Sequence, residues 1–240
     1  MNIGQNLEKI MNVPVNAVSM EQALEIISNT VDKKGKLHVI TINAEMIMLS
    51  KSNEEFNTIL NQAELLIPDG SGVVWALAQQ GKKVKKLAGI ELCQNCISQL
   101  DKNIFMLGAS KEVIEKAHEN LKIKFPNSKI VGYHDGYFSD ENDQEIINQI
   151  NSLNTDILLV GLGVPRQEKW IRKNLNKINA SVFIGVGGSF DVFSGKIKRA
   201  PEIMIKLHLE WFYRLYKEPW RWKRMLVLPK FVGAVYTYKE

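Results

Sequence analysis

Pro68-Asp69-Gly70 follows the short apolar run Leu65 to Ile67. Proline fixes φ and glycine allows a sharp turn, so the Asp69 carboxylate stands on a stiff bend. A carboxylate partly shielded from water has its pKa raised and can act as a general base. Pro-Asp-Gly is also an ordinary turn, and alone it does not choose between the two. Other polar and glycine residues follow apolar runs in the same way. They are Thr41 and Asn43; Gly108 and Ser110; Asp135, Gly136 and Tyr137; Gly161, Gly163, Arg166, Gln167 and Glu168; and Gly185 to Gly188 with Asp191. Glycines at strand-to-helix turns let backbone N–H groups approach an anion, and a helix N-terminus adds favourable potential. Three such turns point to a nucleotide or diphosphate ligand, although each one singly is satisfied by a tight turn.

The elements that must position these residues alternate. Strands are expected at Leu37 to Ile42, Leu65 to Ile67, Ile104 to Leu107, Lys129 to Tyr133, Ile157 to Val160 and Val182 to Ile184. Between them run amphipathic stretches, such as Ser19 to Thr30, opened by a Ser19-x-x-Gln22 capping box, and Lys111 to Lys124. This order predicts an α/β fold with a mostly parallel, Rossmann-like sheet covered by helices on both faces. In such sheets ligands bind beyond the carboxyl ends of the strands, where the polar residues gather. Residues 1 to 195 read as a catalytic or binding core. Residues 196 to 240 read as a helical appendage, with one long basic-aromatic helix running from Pro201 to near Pro219.

Several classes are disfavoured. Gly161-x-Gly163 has Arg166 where a dinucleotide fingerprint needs its third glycine, and Gly185-x-Gly187 has Phe190 there. No Gly-x-x-x-x-Gly-Lys-Ser/Thr stretch exists. His38, His118, His134 and His208 are scattered, and Cys93-x-x-Cys96 is a single pair, so no metal site is expected. The N-terminal stretch has no basic region leading into an apolar one, and no apolar run reaches the ~18 residues that cross a bilayer, so a cytoplasmic chain is expected.

Charge is unevenly placed. The chain carries 31 Lys+Arg against 26 Asp+Glu. From Lys196 onward there are 11 basic residues and 4 acidic ones, with three of the five tryptophans: Trp211, Trp220 and Trp222. Basic and aromatic residues interleaved in this way suit an anionic membrane face, a nucleic acid or a phosphorylated ligand.

Six motifs then fall in register: Pro68-Asp69-Gly70-x-Gly72-Val73-Val74; Ala88-Gly89-Ile90-Glu91-Leu92; Gly161-x-Gly163-x-Pro165-x-Gln167-Glu168-x-Trp170; Gly185-x-Gly187-Gly188-x-Phe190-Asp191-x-x-x-Gly195; Glu210-Trp211-x-x-Arg214-Leu215; and Glu218-Pro219-x-Arg221-x-x-Arg224. Together they resemble the WecG/TagA/CpsF glycosyltransferases from roughly Val13 to the C-terminus, most closely the TagA branch. That resemblance implies transfer of N-acetylmannosamine from a UDP-sugar donor to N-acetylglucosaminyl-diphospho-undecaprenol, making the linkage unit of wall teichoic acid. The reaction it implies inverts the anomeric centre and uses no metal or other cofactor. By carry-over, Asp69 is the base, Thr41, Asn43 and Gln167 orient the substrates, and Lys86 stands where the family usually has Arg. Glu91 likewise replaces the family Asp. Arg214, Arg221 and Arg224 match basic positions that serve the lipid diphosphate. Gly108, Gly136, Tyr137, Gly161, Gly163, Glu168, Gly185, Gly187 and Asp191 are assigned to the UDP-sugar from strand-end position. The appendage is expected to be both membrane anchor and lid, on the inner face of the plasma membrane. Ile203, Leu207 and Leu209 could instead bury in a homo-oligomer. The alternatives are a family transferase using N-acetylmannosaminuronic acid or a glucose-type donor, a nicotinamide-dependent enzyme, and a non-catalytic nucleic-acid-binding protein; no nucleic-acid partner is expected on the leading reading.

Overall fold

A computed structural model of the chain describes residues 7–206, 209–217, 219 and 222–238, with backbone alone at 140, 206, 214, 223 and 224. A hairpin of β1 (Leu7–Ile10) and β2 (Val13–Asn16) precedes α1 (Met20–Asp32). There follow β3 (Leu37–Ile42), α2 (Ala44–Ser50), α3 (Glu54–Gln62), β4 (Leu65–Pro68), α4 (Ser71–Gln79) and α5 (Gly89–Gln99). The second half runs β5 (Ile104–Gly108), α6 (Lys111–Lys124), β6 (Ile130–His134), α7 (Asp143–Ser152), β7 (Ile157–Gly161), α8 (Arg166–Asn174), β8 (Val182–Gly185) and α9 (Ser189–Phe193). The expected α/β sheet is present: six parallel strands in the order β4-β3-β8-β7-β5-β6.

Strand residues alternate between two apolar layers, as period-two geometry requires. Val39, Leu65, Ile67, Ile104, Met106, Leu159 and Ile184 face a core built with α1, α5 and α6. On the other face Ile40, Ile42 and Leu66 pack with α2, α3 and α4, while Phe105, Leu107, Leu158 and Phe183 pack with α7 and α8. The Ser19 capping box closes at both ends, Gln22 N–H to Ser19 Oγ and Ser19 N–H to Gln22 Oε1.

The β1–β2 hairpin carries no strong alternation and was not expected. Met11 and Asn12 turn it at positive φ, the handedness that a two-residue hairpin loop needs. It shields the sheet margin: Asn16 Oδ1 accepts the Leu66 N–H of β4 at 2.7 Å, a contact that satisfies an edge-strand donor.

Beyond residue 196 the expected single long helix is divided. α10 (Glu202–Lys206) and α11 (Glu210–Lys217) are separated at Leu209, whose carbonyl accepts the N–H groups of Phe212 and Tyr213 and so starts a new helix. α12 (Trp222–Met225) and α13 (Val227–Thr237) follow. Pro229 falls in the first turn of α13, where a missing N–H costs nothing. α13 is rooted in the core. Phe231 is fully buried beside Ala44, Val73 and Leu77, edge-on to Trp75 with centroids 6.4 Å apart.

Candidate active site

Because all six strands are parallel, every strand-to-helix turn opens at one edge of the sheet. Two groups of residues form along it. At the β4–β3–β8 side, the Asp69 N–H donates to the Ile42 carbonyl at 2.9 Å, tying the turn after β4 to the end of β3. Gly70 has φ +91°, and a Cβ there would lie 3.7 Å from the Asn43 Cβ, so the turn abuts Asn43. Asn43 caps α2 through its Oδ1, which accepts the Met46 N–H at 3.1 Å and leaves its amide N–H groups for other partners. Asp69 itself is partly buried. Its charge reaches the buried Cys93 thiol of α5, whose pKa is raised well above the ordinary range by burial first, then by Cys96 and Asp69.

Thr41 Oγ1 donates to the Gly185 carbonyl at 3.4 Å, and its methyl group presses on α5, where a Cβ at Gly89 would come within 2.8 Å. Gln167 lies across the same strand end. Its Oε1 accepts the Gly187 N–H at 3.1 Å and its Nε2 donates to Glu168 Oε1 at 2.7 Å. The structure therefore brings Asp69, Asn43, Thr41 and Gln167 to adjoining strand ends. Glu168 is wholly buried, and burial pushes its pKa up to about 7.

The β7–β5–β6 side is different. Gly108 pairs in register with Gly161, and a Cβ at Gly108 would lie 2.3 Å from the Gly161 carbonyl oxygen. A Cβ at Gly136 would meet Leu162 at 2.8 Å, and one at Gly161 would meet the Phe190 ring at 2.7 Å. Packing alone demands glycine at these positions. Of the strand-end glycines assigned to the UDP-sugar, Gly163 and Gly187, both at positive φ, are the ones with open space beside the backbone. Arg166 points back into the protein, donating to the carbonyls of Gly136 and Phe138 at 2.8 and 3.1 Å. Tyr137 stands out into solvent on a turn held by its own N–H to Asp135 Oδ1. Asp191 on α9 is 3.6 Å from Lys196 Nζ.

Lys86 does not stand alone. Its Nζ is 2.8 Å from Glu210 Oε2 of α11, both side chains mostly shielded. Nearby, Glu91 of α5 pairs with Arg199. These contacts seat the C-terminal helices beside the Asp69 turn, because the Leu87 N–H donates to the Pro68 carbonyl at 2.8 Å. Sequence reasoning gave Lys86 a diphosphate partner and gave Glu91 none; the structure pairs them with Glu210 and Arg199. The side chains of Arg214 and Arg224, and the whole of Arg221, lie outside the described residues, as does Leu207. Trp211, Phe212, Tyr216, Trp222 and Leu226 are exposed together with Ile203. Among the described residues, no group of three or more His, Cys, Asp or Glu is placed to hold a metal ion, and no helix is long and apolar enough to cross a membrane.

The chain is similar to known proteins over most of its length. Residues 8–240 match the family described as "Glycosyl transferase WecG/TagA/CpsF family". The chain is 38% identical over 213 residues to a Bacillus spizizenii protein, covering 87% of this chain and 82% of that one. It is 38% identical over 235 residues to one from Bacillus subtilis, covering 95% and 90%. A Staphylococcus aureus relative is 33% identical over 237 residues, covering 96% and 92%. All three are named N-acetylglucosaminyldiphosphoundecaprenol N-acetyl-beta-D-mannosaminyltransferase.

Proposed function

The chain belongs to the WecG/TagA/CpsF glycosyltransferase family and is a hexosyltransferase, and on that premise we propose that it moves N-acetylmannosamine from UDP-N-acetylmannosamine to N-acetylglucosaminyl-diphospho-undecaprenol. The product is the β-1,4-linked disaccharide that begins wall teichoic acid. The observation that carries the mechanism is the place of Asp69: a partly buried carboxylate fixed by its own backbone beside Asn43, at the edge where a parallel sheet receives ligands.

The acceptor hydroxyl oxygen bonds to C1 of the donor sugar from the face opposite the diphosphate. The C1–O bond to UDP breaks and UDP leaves with the electron pair, while the hydroxyl proton passes to Asp69. Thr41, Asn43 and Gln167 orient the two sugars. The open backbone at Gly163 and Gly187 admits the donor diphosphate. Charge on the departing UDP is met by cationic side chains, Lys86 with Arg214, Arg221 and Arg224, rather than by a metal. The exposed aromatic groups of α11 and α12, with the basic excess after residue 196, rest in the headgroup zone of the inner membrane face where the lipid acceptor is confined.

The test is direct. Enzyme incubated with UDP-N-acetylmannosamine and a lipid-diphosphate acceptor should yield a product heavier by one N-acetylhexosamine, equally well with EDTA present. Turnover only with UDP-N-acetylmannosaminuronic acid or UDP-glucose would move the chain to another branch of the family. Loss of turnover in EDTA would require a metal site.

A further inference from the structure

Glu168 touches no open space, yet it sits one hydrogen bond behind Gln167. The Gln167 amide bridges two groups of opposite kind. The Gly187 N–H can only donate, and Glu168 Oε1 accepts from the amide nitrogen. A single amide orientation satisfies both, with Oε1 toward Gly187 and Nε2 toward Glu168. The two side chains also lie against the end of β8: a Cβ at Gly185 would come 2.7 Å from Gln167 Nε2 and 3.2 Å from Glu168 Oε1. Nothing else in the described structure would stop the amide from turning over. Glu168 Oε2 has no hydrogen-bond partner among the described residues, a cost of about 1–3 kcal/mol that packing alone does not explain.

We infer that Glu168 is a positioning residue that fixes the Gln167 amide and, through it, holds the Gly187 turn in the shape that receives the donor diphosphate. The inference rests on the reading of the protein as a UDP-sugar transferase only for its last step. The link from Glu168 through Gln167 to Gly187 stands independently and can be measured without substrate.

Hydrogen exchange at the Gly187 amide in the unliganded full chain reads that link. Glu168→Leu should speed this exchange about tenfold while the melting temperature stays level or rises, since an apolar side chain replaces a buried carboxyl. The same variant should raise the donor KM and the UDP Kd about tenfold and leave the acceptor KM unchanged. Glu168→Gln retains an acceptor oxygen toward Gln167 and should stay within about threefold of wild type on every readout. Glu168→Asp, which withdraws the acceptor by one methylene and keeps the charge, should resemble Glu168→Leu and serves if that variant does not fold. Wild-type exchange at Gly187 in the Leu or Asp variant would overturn the inference, and so would a Gln variant as impaired as Leu. Absence of UDP binding by the wild-type chain would unseat the proposed function alone, leaving the exchange data to decide the role of Glu168.

Discussion

The loop before α5 touches two regions that are held in place differently. Leu87 joins the Asp69 turn through main-chain atoms, its N–H on the Pro68 carbonyl, while the Asp69 N–H bonds the Ile42 carbonyl. One residue away, Lys86 meets Glu210 of α11 through a side-chain ion pair, and Glu91 of α5 pairs with Arg199 ahead of α10. Unmaking a buried main-chain bond leaves an unsatisfied group at about 1–3 kcal/mol, whereas a shielded ion pair sets its attraction against the cost of desolvating both charges. The Asp69 turn is therefore built into the sheet by main-chain bonds, while charged side chains join the neighbouring loop and α5 to α11 and to the residues ahead of α10. α13 differs from its neighbours. Phe231 anchors it in the core, so the C-terminal segment has a buried apolar root and a middle seated through charged side chains.

The largest effect that would sharpen this contrast belongs to Asp69. Asp69→Asn keeps the turn and removes the proposed base; turnover should fall about 10²- to 10⁴-fold, with UDP affinity by calorimetry nearly unchanged. A variant that keeps its rate would pass the proton to another group, such as Asp191. Next comes the root of α13. Phe231→Ala should cost about 3–5 kcal/mol in urea unfolding, as a core residue does. A loss below 1 kcal/mol would make the whole C-terminal segment peripheral and break the distinction between root and middle.

A smaller effect tests how far the fixed region is strained. Glu168 holds its proton up to about pH 7 when folded and to its ordinary value near 4.5 when unfolded. Between those values the unfolded chain has released a proton that the folded chain still binds, so stability falls as pH rises through this window and is level above it. Glu168→Gln should thus raise stability at pH 8 by about 2–3 kcal/mol relative to wild type and change it little at pH 4. Equal effects at both pH values would mean that the carboxyl ionises freely.

Most of the sheet was legible because its strands are buried on both faces and write themselves as apolar runs. Leu37–Ile42 and Ile157–Gly161 are of this kind, and each is followed by the polar residues that a parallel sheet must carry to one edge. The β1–β2 hairpin was not, since its inward residues are only Ile10, Val13, Val15 and the polar Asn16, a pattern too short to declare a strand. The glycines were legible as turns but not in their reasons. A sequence does not distinguish Gly161, crowded by Phe190, from Gly163, which faces open space. Nor does it show that Phe231 belongs to the core while Phe212 is exposed. Both stand in aromatic, basic surroundings, and only the contact of α13 with α2 and α4 separates them.

The smallest effect bears on the contrast most directly. Glu210→Lys places two ammonium groups together at the Lys86 contact and should free α11 by about 1 kcal/mol, read as roughly fivefold faster hydrogen exchange along Glu210–Lys217. Adding Lys86→Glu re-forms the pair with its charges exchanged and should return exchange to the wild-type rate. Activity should not return with it, because a carboxylate at position 86 repels the diphosphate that Lys86 is proposed to meet. Seating and chemistry would then be separated in one protein. If Glu210→Lys leaves exchange in α11 unchanged, the helix is held by its apolar contacts rather than by charge, and the middle of the C-terminal segment is as fixed as its root.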